Sequence, residues 1–144
     1  MARYQVGFTT LASATNVALF DIRTGAADRV RVLEIGLWNV AATSVTLSLE
    51  RQTTLGTTST TVVPQAGDPA ESAATSLIGT AWSVAPASTA VPMRRVVLPA
   101  NVGAGVIFPF GFGDLVIPVS SSLLIMNRGA ASSGIMNGYV LLDE

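Results

Sequence analysis

Two apolar runs between Arg29 and Arg51 carry the clearest pattern in the chain. In the second run every other residue is apolar, and the residues between them are Thr46, Ser48 and Glu50. This period of two is typical of a strand with one buried face. The first run is denser and rich in β-branched residues, which predicts a strand covered on both faces.

We expect the two runs to pair as a hairpin that turns at Ala42–Thr43, although Ala-Thr is a poor two-residue turn. Trp38 then lies opposite Leu47 in the core, and Glu34 lies opposite Arg51, with which it would form an ion pair. A slip of one residue would place Trp38 opposite a polar side chain, which favours this register.

Leu33, Ile35 and Leu37 lie together in the first run and form an apolar face that needs a cover. The cover is either a second sheet of the same chain or a neighbouring chain. We therefore take these three residues as candidates for the interface of a homotrimer.

Short apolar runs separated by Gly, Pro, Ser and Asn continue to the end of the 144 residues. They predict about eight to ten short strands with little or no helix, Ala70–Ile78 being the one segment where a short helix would fit. The pattern favours an all-β fold, an antiparallel β-sandwich, with a jelly roll as the leading version. The length favours one domain over residues 1–144, with residues 1–15 as a candidate N-terminal arm.

Composition narrows the function more than any motif does. Charged residues make up 12% of the chain, about half of the usual ~25%, and the net charge is −1. A charge this small would not attract nucleic acid, and a surface with few charges is typical of proteins that bind partners. We expect no membrane span, because Pro99 and Pro109 interrupt the uncharged run 96–113, and no signal peptide precedes the first strand.

Candidate chemistry is scarce, because the chain has neither His nor Cys, and all eight basic residues are Arg. A general base for serine activation, a thiolate metal site and a P-loop are therefore missing. Asp68 and Glu71 share a loop but lack the spacing of a calcium site, so a solvated turn is favoured. We expect a protein that is not an enzyme, with no catalytic residue, no metal and no cofactor.

The second half of the chain resembles a known group of viral proteins. The resemblance covers residues 29–50 and 80–142, and it is carried by Ala81-Trp82-Ser83 and by the run PMRRVVLPANVGAGVIFPFGFGDLVIPVSSSLLIMNRGAASSG at 92–134. These stretches are similar to small capsid decoration, or cement, proteins of tailed bacteriophages. The resemblance implies a jelly-roll-like sandwich that trimerises, sits on the capsid surface at local three-fold axes, and bridges subunits of the major capsid protein. It also implies that the protein is made in the host cytoplasm and ends in the virion.

No motif of the family identifies capsid-contact residues in this chain. The candidates are therefore selected by the chemistry of their side chains. Arginines suit acidic partners, and apolar residues near the N-terminus suit a groove. The candidates are Arg3, Phe8, Leu11, Arg94 and Arg95.

An alternative function remains open, namely a carbohydrate-binding or receptor-binding β-sandwich of a phage head fibre or tail. Such a module needs exposed aromatic residues beside polar groups. The chain offers Trp82, Tyr4 and Tyr139 for this purpose.

Overall fold

The computed structural model describes residues 1–111 and 114–144. In it, the segments in which apolar and polar residues alternate form strands. The described residues form twelve strands and no helix, so the predicted all-β fold is confirmed with slightly more strands than expected. The strands are β1 (Arg3–Thr9), β2 (Ala18–Arg23), β3 (Val30–Asn39), β4 (Val45–Thr54), β5 (Thr57–Val62), β6 (Gln65–Ala66), β7 (Leu77–Val84), β8 (Ala87–Leu98), β9 (Gly105–Pro109), β10 (Val116–Ile117), β11 (Ser122–Asn127) and β12 (Met136–Asp143).

The strands form two antiparallel sheets that pack face to face. The first sheet has the order β10-β3-β12-β1-β6, with β9 also paired to β3, and the second has the order β5-β7-β2-β11-β4-β8. Strands pair in a nested way: β1 with β12, β2 with β11, β3 with β9 and β4 with β8. This nesting is the topology of a jelly roll, in which a long folded ribbon wraps into two four-stranded sheets.

The segment between β4 and β8 is an insertion in that topology. Its strands extend both sheets on one side, because β6 pairs with β1 and β7 pairs with β2. The Tyr4 hydroxyl donates to the Ser72 carbonyl at 2.9 Å, and the Glu144 carboxylate accepts hydrogen bonds from Thr75 and Ser76. These contacts hold residues 67–76 against the two sheets. Within Ala70–Ile78, where the sequence would allow a short helix, residues 70–76 form turns, bends and irregular structure, and Leu77 and Ile78 begin β7.

The predicted hairpin between β3 and β4 is wrong, because the two strands belong to different sheets. Glu34 pairs with Leu141 and Pro109 across neighbouring strands, and its carboxylate accepts a hydrogen bond from Tyr139. Arg51 donates instead to the Val116 carbonyl at 2.7 Å. Period two reports which face of a strand is buried and carries no information about the partner strand, so the expected ion pair does not form.

The interpretation that both faces of β3 are covered is also wrong, and a β-bulge explains the dense apolar run. Opposite β12, Leu141 pairs with Glu34 and Leu142 with Val32, which leaves Leu33 as the extra residue. A bulge shifts the inward-facing set by one position. The residues that face the core are therefore Val30 and Val32 before the bulge, and Ile35 and Leu37 after it.

This geometry decides where the three trimer-interface candidates lie. Ile35 and Leu37 are fully buried in the core between the sheets, and Leu33 is half-buried at the bulge. The second sheet of the same chain is therefore the cover for Ile35 and Leu37, and their side chains are not accessible to another copy.

Residues 3–9 form an inner strand of the first sheet rather than an arm. Tyr4, Val6 and Phe8 are buried, and the Phe8 ring lies 4.6 Å from the Phe20 ring, measured between centroids. Phe20 comes from the second sheet, so this contact joins the two layers at the centre of the core. The suggested N-terminal arm and a capsid contact through Phe8 are both excluded by this packing.

Leu37→Ala is expected to cost about 2–5 kcal/mol of unfolding free energy, because it leaves a cavity in a fully buried site. Trp38 points to the outer face of the first sheet and is only half-buried. Trp38→Ala should therefore cost clearly less than Leu37→Ala in urea unfolding followed by circular dichroism. An equal or larger cost for Trp38→Ala would contradict the placement of the bulge.

Candidate functional site

Four loops meet at one end of the sandwich, and we call this surface the loop end. It consists of residues 10–17, 40–44, 99–104 and 128–135. These are the β1–β2, β3–β4, β8–β9 and β11–β12 connections, which the jelly-roll topology brings to the same end.

Main-chain hydrogen bonds tie the loops to one another. The Ser133 amide donates to the Ser13 carbonyl at 2.8 Å, and the Val40 amide donates to the Ile135 carbonyl at 3.2 Å. The Gly103 amide donates to the Asn39 carbonyl at 2.8 Å, and Gly103 has a φ of 81°, which favours glycine there. The loop end is thus a continuous surface with a defined shape.

Two buried asparagines stabilise the loop end through side-chain hydrogen bonds. The Asn39 side-chain amide donates to the carbonyls of Thr43 and Pro99, both at 3.1 Å. The Asn127 side-chain amide donates to the carbonyls of Ser13 and Ala131, both at 3.0 Å. Each amide therefore joins two different segments, and buried polar groups satisfied in this way make loops rigid.

The chemistry of the loop end is almost entirely uncharged. Arg128 is the sole charged residue in its four loops. Exposed apolar side chains are distributed over all four: Leu11 at 60%, Val40 at 44%, Val102 at 69% and Ile135 at 45% exposure. An exposed apolar surface of this kind is typical of a protein interface.

The connections at the opposite end of the sandwich are rich in charged residues. Its connections carry Asp28 and Arg29 between β2 and β3, Asp68 and Glu71 in the insertion, and Asp114 between β9 and β10. Asp68 accepts a hydrogen bond from the Ala70 amide at 2.9 Å and forms a solvated turn. The charged residues of the connections are therefore concentrated away from the loop end.

An ion pair anchors the base of the loop end to the second sheet. Arg128 contacts the buried carboxylate of Glu50 at 2.6 Å, and Ser88 also donates to that carboxylate at 2.5 Å. Burial by itself would raise the pKa of Glu50. The hydrogen bonds from Arg128 and Ser88, together with the charge of Arg128, outweigh burial and lower the pKa to about 2.

The outer strand β8 is a second exposed feature. In the described part of the chain, no strand pairs with its outer edge, and Val91, Met93 and Val97 are exposed along it. Arg94 and Arg95 are exposed on the same strand, and the Arg94 guanidinium lies 4.3 Å from the centre of the Phe110 ring. An unpaired edge with exposed apolar residues is a site for association.

The five predicted capsid-contact residues do not gather in one place. Leu11 lies in the loop end, whereas Phe8 is in the core. Arg3 forms an ion pair with Asp143 at 3.0 Å on the first sheet, and Arg94 and Arg95 lie on β8. The sequence analysis did not identify Val40, Val102 and Ile135 as contact residues. The sequence signal that could have indicated them is the near absence of charged residues from four separate segments.

The outer face of the first sheet carries an aromatic pair. Trp38 and Tyr139 stack with ring centroids 5.5 Å apart and planes inclined by 25°. A Cβ atom at Gly36 would collide with both rings, and a Cβ atom at Gly105 would collide with the Trp38 ring. The Tyr139 hydroxyl donates to Glu34, and this hydrogen bond, with burial and the charge of Glu34, raises the pKa of Tyr139.

The other two aromatic residues considered for saccharide binding are placed differently. Tyr4 is in the core, and Trp82 belongs to β7 rather than to a loop. Trp82 packs against Ala18, Leu124 and Met126 on the outer face of the second sheet. Asp21 is buried in the same sheet beside Arg23, and burial raises its pKa to about 6 despite the attraction of Arg23.

Within residues 1–111 and 114–144, no group of three or more acidic side chains could hold a metal ion, and no helix could cross a membrane. Comparisons with protein-family models, with curated proteins and with solved structures found no match.

Proposed function

We propose that the protein decorates and stabilises the outside of a tailed-phage capsid, without catalysing a reaction. The observation that carries this proposal is the loop end, a rigid and almost uncharged surface with four exposed apolar side chains. Burying apolar area yields about 25 cal/mol per Å², so such a surface gains free energy on a complementary apolar partner.

The loop end is the proposed contact with the major capsid protein. It rests on the folded sandwich, and Asn39 and Asn127 hold its loops in one arrangement, so little conformational entropy is lost on binding. The charged opposite end would then face solvent, which suits the outer surface of a virion. Leu11 keeps its predicted role as a capsid contact in this arrangement.

We also propose a homotrimer, with the outer edge of β8 as the surface that joins the copies. Val91, Met93 and Val97 supply apolar contacts there, and Arg94 and Arg95 supply hydrogen-bond donors. A trimer with three loop ends would bind a shell by multivalency, because the second and third contacts become effectively intramolecular once the first is made. Binding to assembled shells in preference to loose subunits would raise shell stability by mass action.

The proposal is tested by adding the purified protein to shells that lack it and then heating them. We expect the protein to co-sediment with intact shells, to raise their melting temperature, and to have the mass of a trimer by light scattering. Deleting residues 2–11 would remove β1 from the first sheet, so binding has to be tested with point substitutions instead. Unchanged shell melting without co-sedimentation would reject the decoration function, and a stable monomer at micromolar concentration would reject the trimer.

A further inference from the structure

We propose that the groove on the outer face of the first sheet binds a short neutral saccharide. The groove has a volume of about 650 Å³ and is open to solvent. Pockets for small ligands typically have volumes of about 300–1,000 Å³. The inference is independent of the capsid function, because the groove lies on the outer face of the first sheet and shares no lining residue with the loop end.

The aromatic element of the groove is Tyr139, held in place by its stack on Trp38. Gly36 has no side chain, so both rings pack close to the sheet. The negative face of an aromatic ring attracts the slightly positive C–H groups on one face of a pyranose. The apolar side chains of Val62, Val63 and Leu141 line the same groove and suit the remaining C–H surface.

The polar element consists of one carboxylate and two amides. Glu34 is fixed by the hydrogen bond from the Tyr139 hydroxyl, and Gln5 and Gln65 are exposed amides with both donors and acceptors. Sugar hydroxyls need this mixture of donors and acceptors. Among the described residues that line the groove none is a cation, so phosphate, sulfate and acidic sugars would meet Glu34 without compensation.

The space for the ligand lies above Gly7. A Cβ atom at Gly7 would meet only the Gly138 carbonyl oxygen, at 3.9 Å, so a side chain there would fill the groove without disturbing the core. Gly67 offers a matched control outside the groove, since a Cβ atom there meets the Arg3 carbonyl oxygen at an ordinary 3.5 Å. Neither glycine has a positive φ.

The experiment uses saturation-transfer NMR of the full chain with maltotriose, cellotriose and chitotriose at millimolar concentration. We expect saturable binding of at least one of them, and a hyaluronan tetrasaccharide should bind more weakly than that sugar. Gly7→Val should raise its dissociation constant by at least about tenfold, whereas Gly67→Val should leave it unchanged. Thermal melting of both variants checks that they fold.

Fluorescence gives a second measurement next to the groove, because Trp38 stacks on Tyr139, which lines it. The chain has two tryptophans, so Trp82→Phe leaves Trp38 as the sole reporter. The sugar that binds should change the Trp38 emission with the same dissociation constant. The inference is overturned if no neutral sugar in the panel binds, if Gly7→Val binds as tightly as the unsubstituted chain, or if the anionic tetrasaccharide binds best. None of these outcomes bears on shell binding, so the two proposals fail separately.

Discussion

Val102→Glu is expected to abolish binding of the protein to assembled shells while leaving its fold intact. Val102 is 69% exposed in the 99–104 loop, so the new carboxylate is solvated in the free protein. On docking it would lose water within a surface whose sole charge, Arg128, is already paired with Glu50. An unpaired charge buried at an interface costs about 2–5 kcal/mol, and a trimer carries three copies of it.

The measurement is co-sedimentation with shells, alongside thermal unfolding of the free variant. An exposed substitution of this kind changes folding stability by about 0.5 kcal/mol or less, so the melting temperature should stay close to that of the parent. Val119→Glu is the matched control, because Val119 is an exposed valine in the connection between β10 and β11, at the opposite end. Equal loss of binding in both variants would contradict the assignment of the loop end as the contact surface.

Arg128→Ala is expected to lower the unfolding free energy by about 3–5 kcal/mol at neutral pH, because it leaves the buried Glu50 carboxylate without its cation. Arg29 is exposed at the other end of the sandwich, so Arg29→Ala should change the unfolding free energy by only about 0.5 kcal/mol or less. Chemical unfolding at pH 7 measures both variants. A cost for Arg128→Ala no larger than that of Arg29→Ala would mean that the ion pair does not hold Glu50 in the fold.

The Arg128–Glu50 ion pair also makes the unfolding free energy depend on pH in the acid range. The pKa of Glu50 is about 2 in the folded state against an ordinary 4.5, so its stabilising contribution is complete above pH 4.5 and is lost as the pH falls toward 2. Asp21 acts in the opposite sense, because its raised pKa of about 6 lowers stability as the pH rises from about 4 to about 6. Unfolding measured from pH 4.5 to 2 includes the Glu50 contribution, about 3 kcal/mol, together with that of Glu144, whose pKa is lowered by hydrogen bonds from Thr75 and Ser76. Arg128→Ala and Glu50→Gln should both remove the Glu50 part and leave the Glu144 part.

Local patterns in the chain already decided the fold class. Val45, Leu47 and Leu49 are buried on one face of β4, as their alternation predicts, because side-chain direction along a strand is a local property. The low charge, and the lack of His and Cys, are likewise visible in the sequence and limit the chemistry available to the chain. The saccharide alternative also began with residues that the sequence offered, among them Tyr139.

Strand partners were decided only by the tertiary structure. Main-chain hydrogen bonds join any two strands equally well, so the pattern in β3 and β4 is as compatible with a hairpin as with two different sheets. The closed jelly roll selects the second arrangement, since it buries the inner faces of both strands in one core. The β-bulge at Leu33 was likewise decided only by the tertiary structure. Because of this one extra residue, the positions of β3 that face the core change from even to odd residue numbers.

The candidate surfaces depend on the tertiary structure even more strongly. Leu11, Val40, Val102 and Ile135 come from four loops that are far apart in the chain, and only the alternation of strands between two sheets brings those loops to one end. The groove beside Tyr139 likewise joins β1, β3 and β12 with the insertion. Such surfaces arise from contacts between distant segments, and neither periodicity nor composition, which are properties of neighbouring residues, contains those contacts.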